Sequence, residues 1–280
     1  MGDVGYDMYW VDGADPELRA RHEELSQQWE AALRVRDAIP KGEHGHFTRE
    51  EFDAGAVWEG AGIPADASER YRAAQEHQHQ LYEQMCAAQV WYHRRNVWGM
   101  GTLRDVMLRL DMVRSNYSMD ECPFPWPEAS WKDDPNEGEH WDAYYDWVHG
   151  YKTIDVEAEY EQNHPDVLKA FREYREAKEK RLTWVPEECF KIMVDGEEVI
   201  DETPHAIPIH KFGSNDDWIV TPTECTAALA KARSVSDRGI RLAFQVSGAT
   251  DWDPADIARS WQSWLTFIEG AASHGGFSVR

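Results

Sequence analysis

Bases are scarce in this 280-residue chain: 29 Lys and Arg stand against 52 Asp and Glu, for a net charge of −23. Non-specific binding to nucleic acid draws on Lys and Arg contacts to phosphate, so direct phosphate binding is not expected. The same charge favours a protein partner with a basic surface. Cysteine is scarce too. Cys86, Cys122, Cys189 and Cys225 stand alone, with no CxxC spacing, and read as reduced, mostly buried thiols of a cytoplasmic protein. No window approaches the roughly 18 continuous apolar residues of a membrane-spanning helix, so no membrane association is expected. The first residues lack the basic and then apolar pattern of a secretory signal. The sequence also holds no Gly-rich phosphate loop, no GxSxG and no HExxH, so it names no cofactor and leaves catalysis open.

Aromatic residues, by contrast, are plentiful: they make up 12% of the chain and include fourteen tryptophans. Together with 42% hydrophobic content they allow a sizeable core and an aromatic recognition surface. Apolar residues recur at steps of three and four after Pro16 (Leu18, Leu25, Trp29, Leu33) and after Ser68 (Tyr71, Ala74, Gln78, Leu81, Met85, Ala88, Tyr92), which predicts two helices. Thr48–Glu51 fits a capping box for a short helix carrying Phe52 and Trp58. The second long helix runs into the dense stretch from Trp91 to Arg104, where Gly99 and Gly101 read as a helix break before a partner helix through Leu103, Val106, Met107 and Leu110.

Residues 115–162 form an irregular excursion. Cys122–Pro127 alternates three prolines, which excludes regular helix. Residues 119–162 carry thirteen acids and two lysines, a net −11 interleaved with Trp and Tyr. An interaction surface is expected from Trp126, Trp131, Asp133, Asp134, Glu137, Glu139 and Trp141, since apolar area from aromatics is typical of binding hot spots. The alternative is that these aromatics point inward and anchor an acidic loop, its acids paired with Arg94–Arg114 or with the basic face of 169–181.

Beyond Pro186 the period shifts towards two. Phe190–Val194 and Val199–Ile200 flank Asp195-Gly196 as a hairpin. Strands are predicted at 206–212 and 218–220, helices from Pro222 and Pro254, and an edge strand from Phe277. The fold class is therefore α+β: a mainly helical region at 1–181 and an α+β region at 182–280 with a small antiparallel sheet, packed as one body and joined by a strand at Tyr6–Val11.

Two groups combine aromatic walls with polar side chains, as ligand pockets do. One is Asn96, Trp98 and Arg104; the other is His210, Asn215, Asp216 and Trp218. A composite pocket from both would make the chain a small-molecule-binding protein or an enzyme. Glu-x-x-His recurs, and of Glu76/His79, Glu137/His140 and Glu161/His164 only Glu76/His79 lies in a convincing long helix; a helical metalloprotein is the third reading. The favoured one is a non-enzymatic binding protein that uses the acidic, aromatic surface.

Three motifs, Tyr92-x-Arg-x-Asn-x-Trp-Gly-Met100, Ser214-Asn-Asp-Asp-Trp-Ile-Val-Thr-Pro222 and His274-Gly-Gly-Phe-Ser-Val279, resemble those of a group of uncharacterised actinobacterial and actinophage proteins. The resemblance implies a host or phage accessory protein and supplies no catalytic residue. The group has Gly where this chain has Asp217, so a tight left-handed turn there has to be made without glycine.

Overall fold

A computed structural model describes residues 5–46, 63, 64, 66–149, 156–214, 216–250 and 252–280. The helix expected around Phe52 and Trp58 lies outside them. The chain divides into two compact units, residues 12–93 and residues 1–11 with 94–280.

The smaller unit pairs two helices, α1 (Pro16–Asp37) and α2 (Glu69–Ala88). Proline opens α1, where its missing N–H costs nothing. Ser68 caps α2, its Oγ accepting the Tyr71 N–H at 3.1 Å. Of the predicted stripes Leu25 and Leu81 are buried, and so are Ala32 and Gln75, which the stripes did not include. Arg36 donates to both Gln75 and Gln78 across them. Glu76 is exposed, and His79 lies 3.4 Å from Glu83. Among the described residues no three His, Cys, Asp or Glu side chains gather as a metal site would require.

The dense stretch differs from its sequence reading. The helix ends at Ala88, and Tyr92–Asn96 is a strand, β2. A new helix, α3, spans Val97–Arg109 and contains both glycines. Asn96 is the reason: its side chain caps α3 by accepting the Gly99 N–H at 2.7 Å. A Cβ at residue 99 would stand 3.0 Å from that same oxygen, so glycine lets the cap close rather than breaking the helix.

The larger unit is organised on a four-stranded sheet of order β2-β1-β8-β7, with β1 at Gly5–Trp10, β7 at Trp218–Val220 and β8 at Phe277–Val279. Trp10 pairs with Phe277, and Phe277 with Val220, both antiparallel. β8 is therefore an interior strand, not the predicted edge, and its three residues are all buried. Helices α7 (Pro222–Ser234), α8 (Asp237–Val246) and α9 (Pro254–Ser273) complete this region. The core gathers Met8, Phe212, Trp264, Phe267 and Phe277. Trp10 is fixed in it, its indole N–H donated to the Phe267 carbonyl at 2.9 Å and its ring stacked on His274 at 4.3 Å.

The strand expected over 206–212 is only Ile207–Pro208 (β6), which pairs in parallel with Val113–Arg114 (β3). Pro208 has no N–H to continue a ladder, and Ile209–Phe212 turns into a 3-10 helix. Asp217 keeps the left-handed turn without glycine, at φ +64. No helix among the described residues is long and apolar enough to cross a membrane.

Candidate functional site

The acidic excursion folds Trp131, Tyr144 and Tyr160 inward and leaves Trp126 and Tyr145 exposed. Helices α4 (Glu137–His149) and α5 (Val156–Asn163) lead to the basic helix α6 (Pro165–Leu182). Trp131 is 3% exposed, with ring centroids 4.8 Å from Phe171, 5.1 Å from Trp141 and 5.4 Å from Tyr174. Tyr144 and Tyr160 are buried in the same cluster. Apolar spacing on α4 explains this: Trp141, Tyr144, Trp147 and Val148 fall on one face. Neither Trp131 nor Trp141 is therefore free for a partner; both are committed to this core, and Trp141 also donates to Glu137 at 3.3 Å. Asp133, Asp134 and Glu139 are exposed, and Asp134 accepts the Asn136 N–H at 2.8 Å. Trp126 keeps an exposed side under the Arg181 guanidinium, 4.6 Å from its ring centre. From the basic helix Arg172 binds the acid Glu157, whereas Arg175 lies over the Trp147 ring and Arg181 donates to the Phe124 carbonyl.

His210 and Trp218 form a packed polar cluster. The His210 backbone N–H donates to the Tyr117 hydroxyl oxygen at 3.0 Å, and that hydroxyl lies 2.8 Å from His210 Nδ1. His210 Nε2 is buried with no hydrogen-bond partner among the described residues. Trp184 stacks on the imidazole at 5.3 Å, and Trp218 meets it edge-on at 4.5 Å. Burial, with Lys211 and Arg181 nearby, pushes the His210 pKa down to about 3, so the ring is neutral at pH 7. The same burial raises the Tyr117 phenol. Ser214 accepts from Trp218 Nε1 at 3.0 Å and donates to Asp216, so these polar groups serve one another. Next to His210, Lys211 forms a wholly buried ion pair with Glu224 at 2.8 Å.

Asn96 borders a different feature, an open cavity of about 630 Å³ with Arg94, Arg95, Ser247 and the exposed Trp252. The Asn96 oxygen is engaged as the helix cap. Arg95 donates to the Ser260 carbonyl and hydroxyl, and burial lowers its pKa. Arg104 is half-buried on α3. The Trp98 side chain and Asn215 lie outside the described residues. Among the rest, Asn96 and the His210–Trp218 cluster have separate surroundings.

Four of the exposed large apolar side chains lie on the hairpin of β4 (Lys191–Val194) and β5 (Glu197–Ile200), a sheet of two strands alone. Asp195 and Gly196 both take positive φ, 51° and 87°, as a type I′ turn demands. Met193 is paired with Glu198 and Lys191 with Ile200, so Met193 and Ile200 share one face; Ile192, Val199 and Val194 share the other. Met193 is 67% exposed, Ile200 57%, Val194 45% and Val199 42%. Residues 187–202 hold seven acids and one base, Lys191. Glu188 and Glu198 neutralise that base at 2.7 and 3.2 Å. No family model, curated protein or solved structure matches this chain. The Asp-Gly turn was the signal for this hairpin; nothing in the pattern of its strands announced that both faces would be bare.

Proposed function

We propose that this chain is a non-enzymatic binding protein whose β4–β5 hairpin engages a protein partner through a basic, apolar extended segment. One observation carries the reading: four large apolar side chains lie open on both faces of a two-stranded hairpin ringed by acids. An isolated hairpin is marginal in water, and a free strand edge is a template for pairing. Each apolar side chain, fully covered, contributes about 1.5–3 kcal/mol, so a partner strand has a driving force. Self-pairing of two such acidic hairpins is opposed by charge, whereas Lys or Arg on the added strand complements it. The exposed acids at 133–139 and the net charge of −23 would steer a basic partner towards the protein. Consistent with the three resembling motifs, the setting proposed is a cytoplasmic accessory role in an actinobacterial host or its phage.

Backbone NMR during titration with a short synthetic peptide of alternating Lys and Val tests this. Shifts should concentrate at 188–202, and an alternating Glu and Val peptide should cause none. Equal responses to both peptides, or responses outside the hairpin alone, would overturn it. A second reading, a small-molecule-binding protein, is supported by the cavity beside Asn96, with its two arginines and exposed Trp252.

A further inference from the structure

A second cleft has a charge opposite to that of the protein around it. It holds about 240 Å³ between α4, α6 and the outer face of the sheet, just below the range of about 300–1,000 Å³ typical of ligand pockets, so a small ligand is the right scale. Its charged lining is three bases, Arg175, Lys178 and Arg280, against two acids, Glu179 and Asp217. In a chain with nearly twice as many acids as bases, that excess of positive charge is local.

Asp217 organises it. Held at φ +64, a left-handed backbone that non-Gly residues seldom adopt, its carboxylate binds Lys178 at 2.9 Å with one oxygen and Arg280 at 3.1 Å with the other. Those two cations are thus fixed and partly neutralised. Arg175 is different. Its guanidinium sits 5.3 Å from the Trp147 ring centre, and no carboxylate among the described residues pairs with it. The aromatic wall is open to water, with Tyr145 48% and Tyr9 36% exposed. Tyr9 also carries the Arg280 guanidinium 5.6 Å from its ring centre. A planar guanidinium presents two parallel N–H groups that match a carboxylate, and exposed tyrosine faces favour a flat apolar body.

We propose that this cleft binds a small aromatic monocarboxylate, its carboxylate held by Arg175 and its ring covered by Tyr145 and Tyr9. The site is independent of the hairpin. Calorimetric titration with phenylacetate, 2-phenylethanol and phenethylamine tests it, because the three share a ring and differ in charge. Phenylacetate should bind and the other two should not. Arg175→Gln should weaken phenylacetate about tenfold, and Arg175→Lys, which keeps the charge without the fork, should fall between. Asp217→Asn frees two cations and should tighten it severalfold. Thermal melts of each variant establish that it is folded. Absence of phenylacetate binding at millimolar concentration, equal affinity for all three probes, or unchanged affinity in folded Arg175→Gln would each overturn the proposal.

Discussion

Replacing Lys211 by Met tests how the polar centre of the larger unit is held together. Lys211 and Glu224 have side chains 0% exposed and lie 2.8 Å apart. The ammonium also donates to the Ile219 carbonyl at 2.7 Å, which ties the 209–212 turn to β7. The same Glu224 oxygen accepts the backbone N–H and the hydroxyl of Thr221 at 2.7 and 2.8 Å, closing the start of α7. Methionine fills the volume but leaves Glu224 as an uncompensated buried charge, a loss of about 3–5 kcal/mol. Against a total stability of about 5–15 kcal/mol, that is a large fraction. Denaturant unfolding followed by tryptophan fluorescence should show the midpoint falling with little change in slope. Adding Glu224→Gln removes the orphan charge while its amide oxygen still accepts from Thr221, so the double variant should recover most of the loss. A loss below about 1 kcal/mol for Lys211→Met would refute the reasoning, because a pair that cheap to break is not buried as described. So would a double variant less stable than the single.

Three further outcomes follow from the same geometry. His210, held near pKa 3 by burial, binds a proton more readily unfolded (about 6.5) than folded; its effect is flat above 6.5, and stability falls as pH drops towards 3 by at most about 1.4 kcal/mol per pH unit. Comparing wild type with His210→Asn between pH 5 and 8 should show that slope only in wild type, and equal slopes would count against a buried neutral imidazole. Gly270→Ala places a Cβ 1.8 Å from Trp10 Cζ2, and the pinned indole cannot retreat, so melting should drop by the equivalent of about 1–3 kcal/mol or more. Asp133→Ala with Glu139→Ala should leave the melting temperature unchanged, whereas Asp134→Ala with Glu137→Ala should lower it, because only the second pair removes the oxygens that accept from Asn136 and Trp141.

What was legible in the sequence was local. Apolar steps of three and four placed α1 and α2, Ser68 and Pro222 marked helix starts, and Asp195-Gly196 announced a hairpin. Long-range pairing was not legible: β8 lies between β1 and β7, and a three-residue strand carries no trace of having two neighbours. The glycines at 99 and 101 misled because propensity counts them as breakers, while the Asn96 cap sets the helix start before them. The candidate site was half visible. Among alternating prolines, Trp126 and Trp131 have no period from which to read direction, so the inward turn of Trp131 needed Phe171 and Tyr174 from another helix. Acids also surround exposed apolar side chains at 187–202, where the sequence showed only a hairpin.

The affinity of the hairpin for an added basic strand is the most direct test of the binding role. Calorimetry with the alternating Lys and Val peptide should be repeated on Met193→Ser/Ile200→Ser, two exposed positions whose change leaves the core intact. Wild type should bind with an affinity that falls as salt rises, and the variant should bind at least about tenfold more weakly at either salt. Equal binding by wild type and variant, or no binding by either at low salt, would contradict the account.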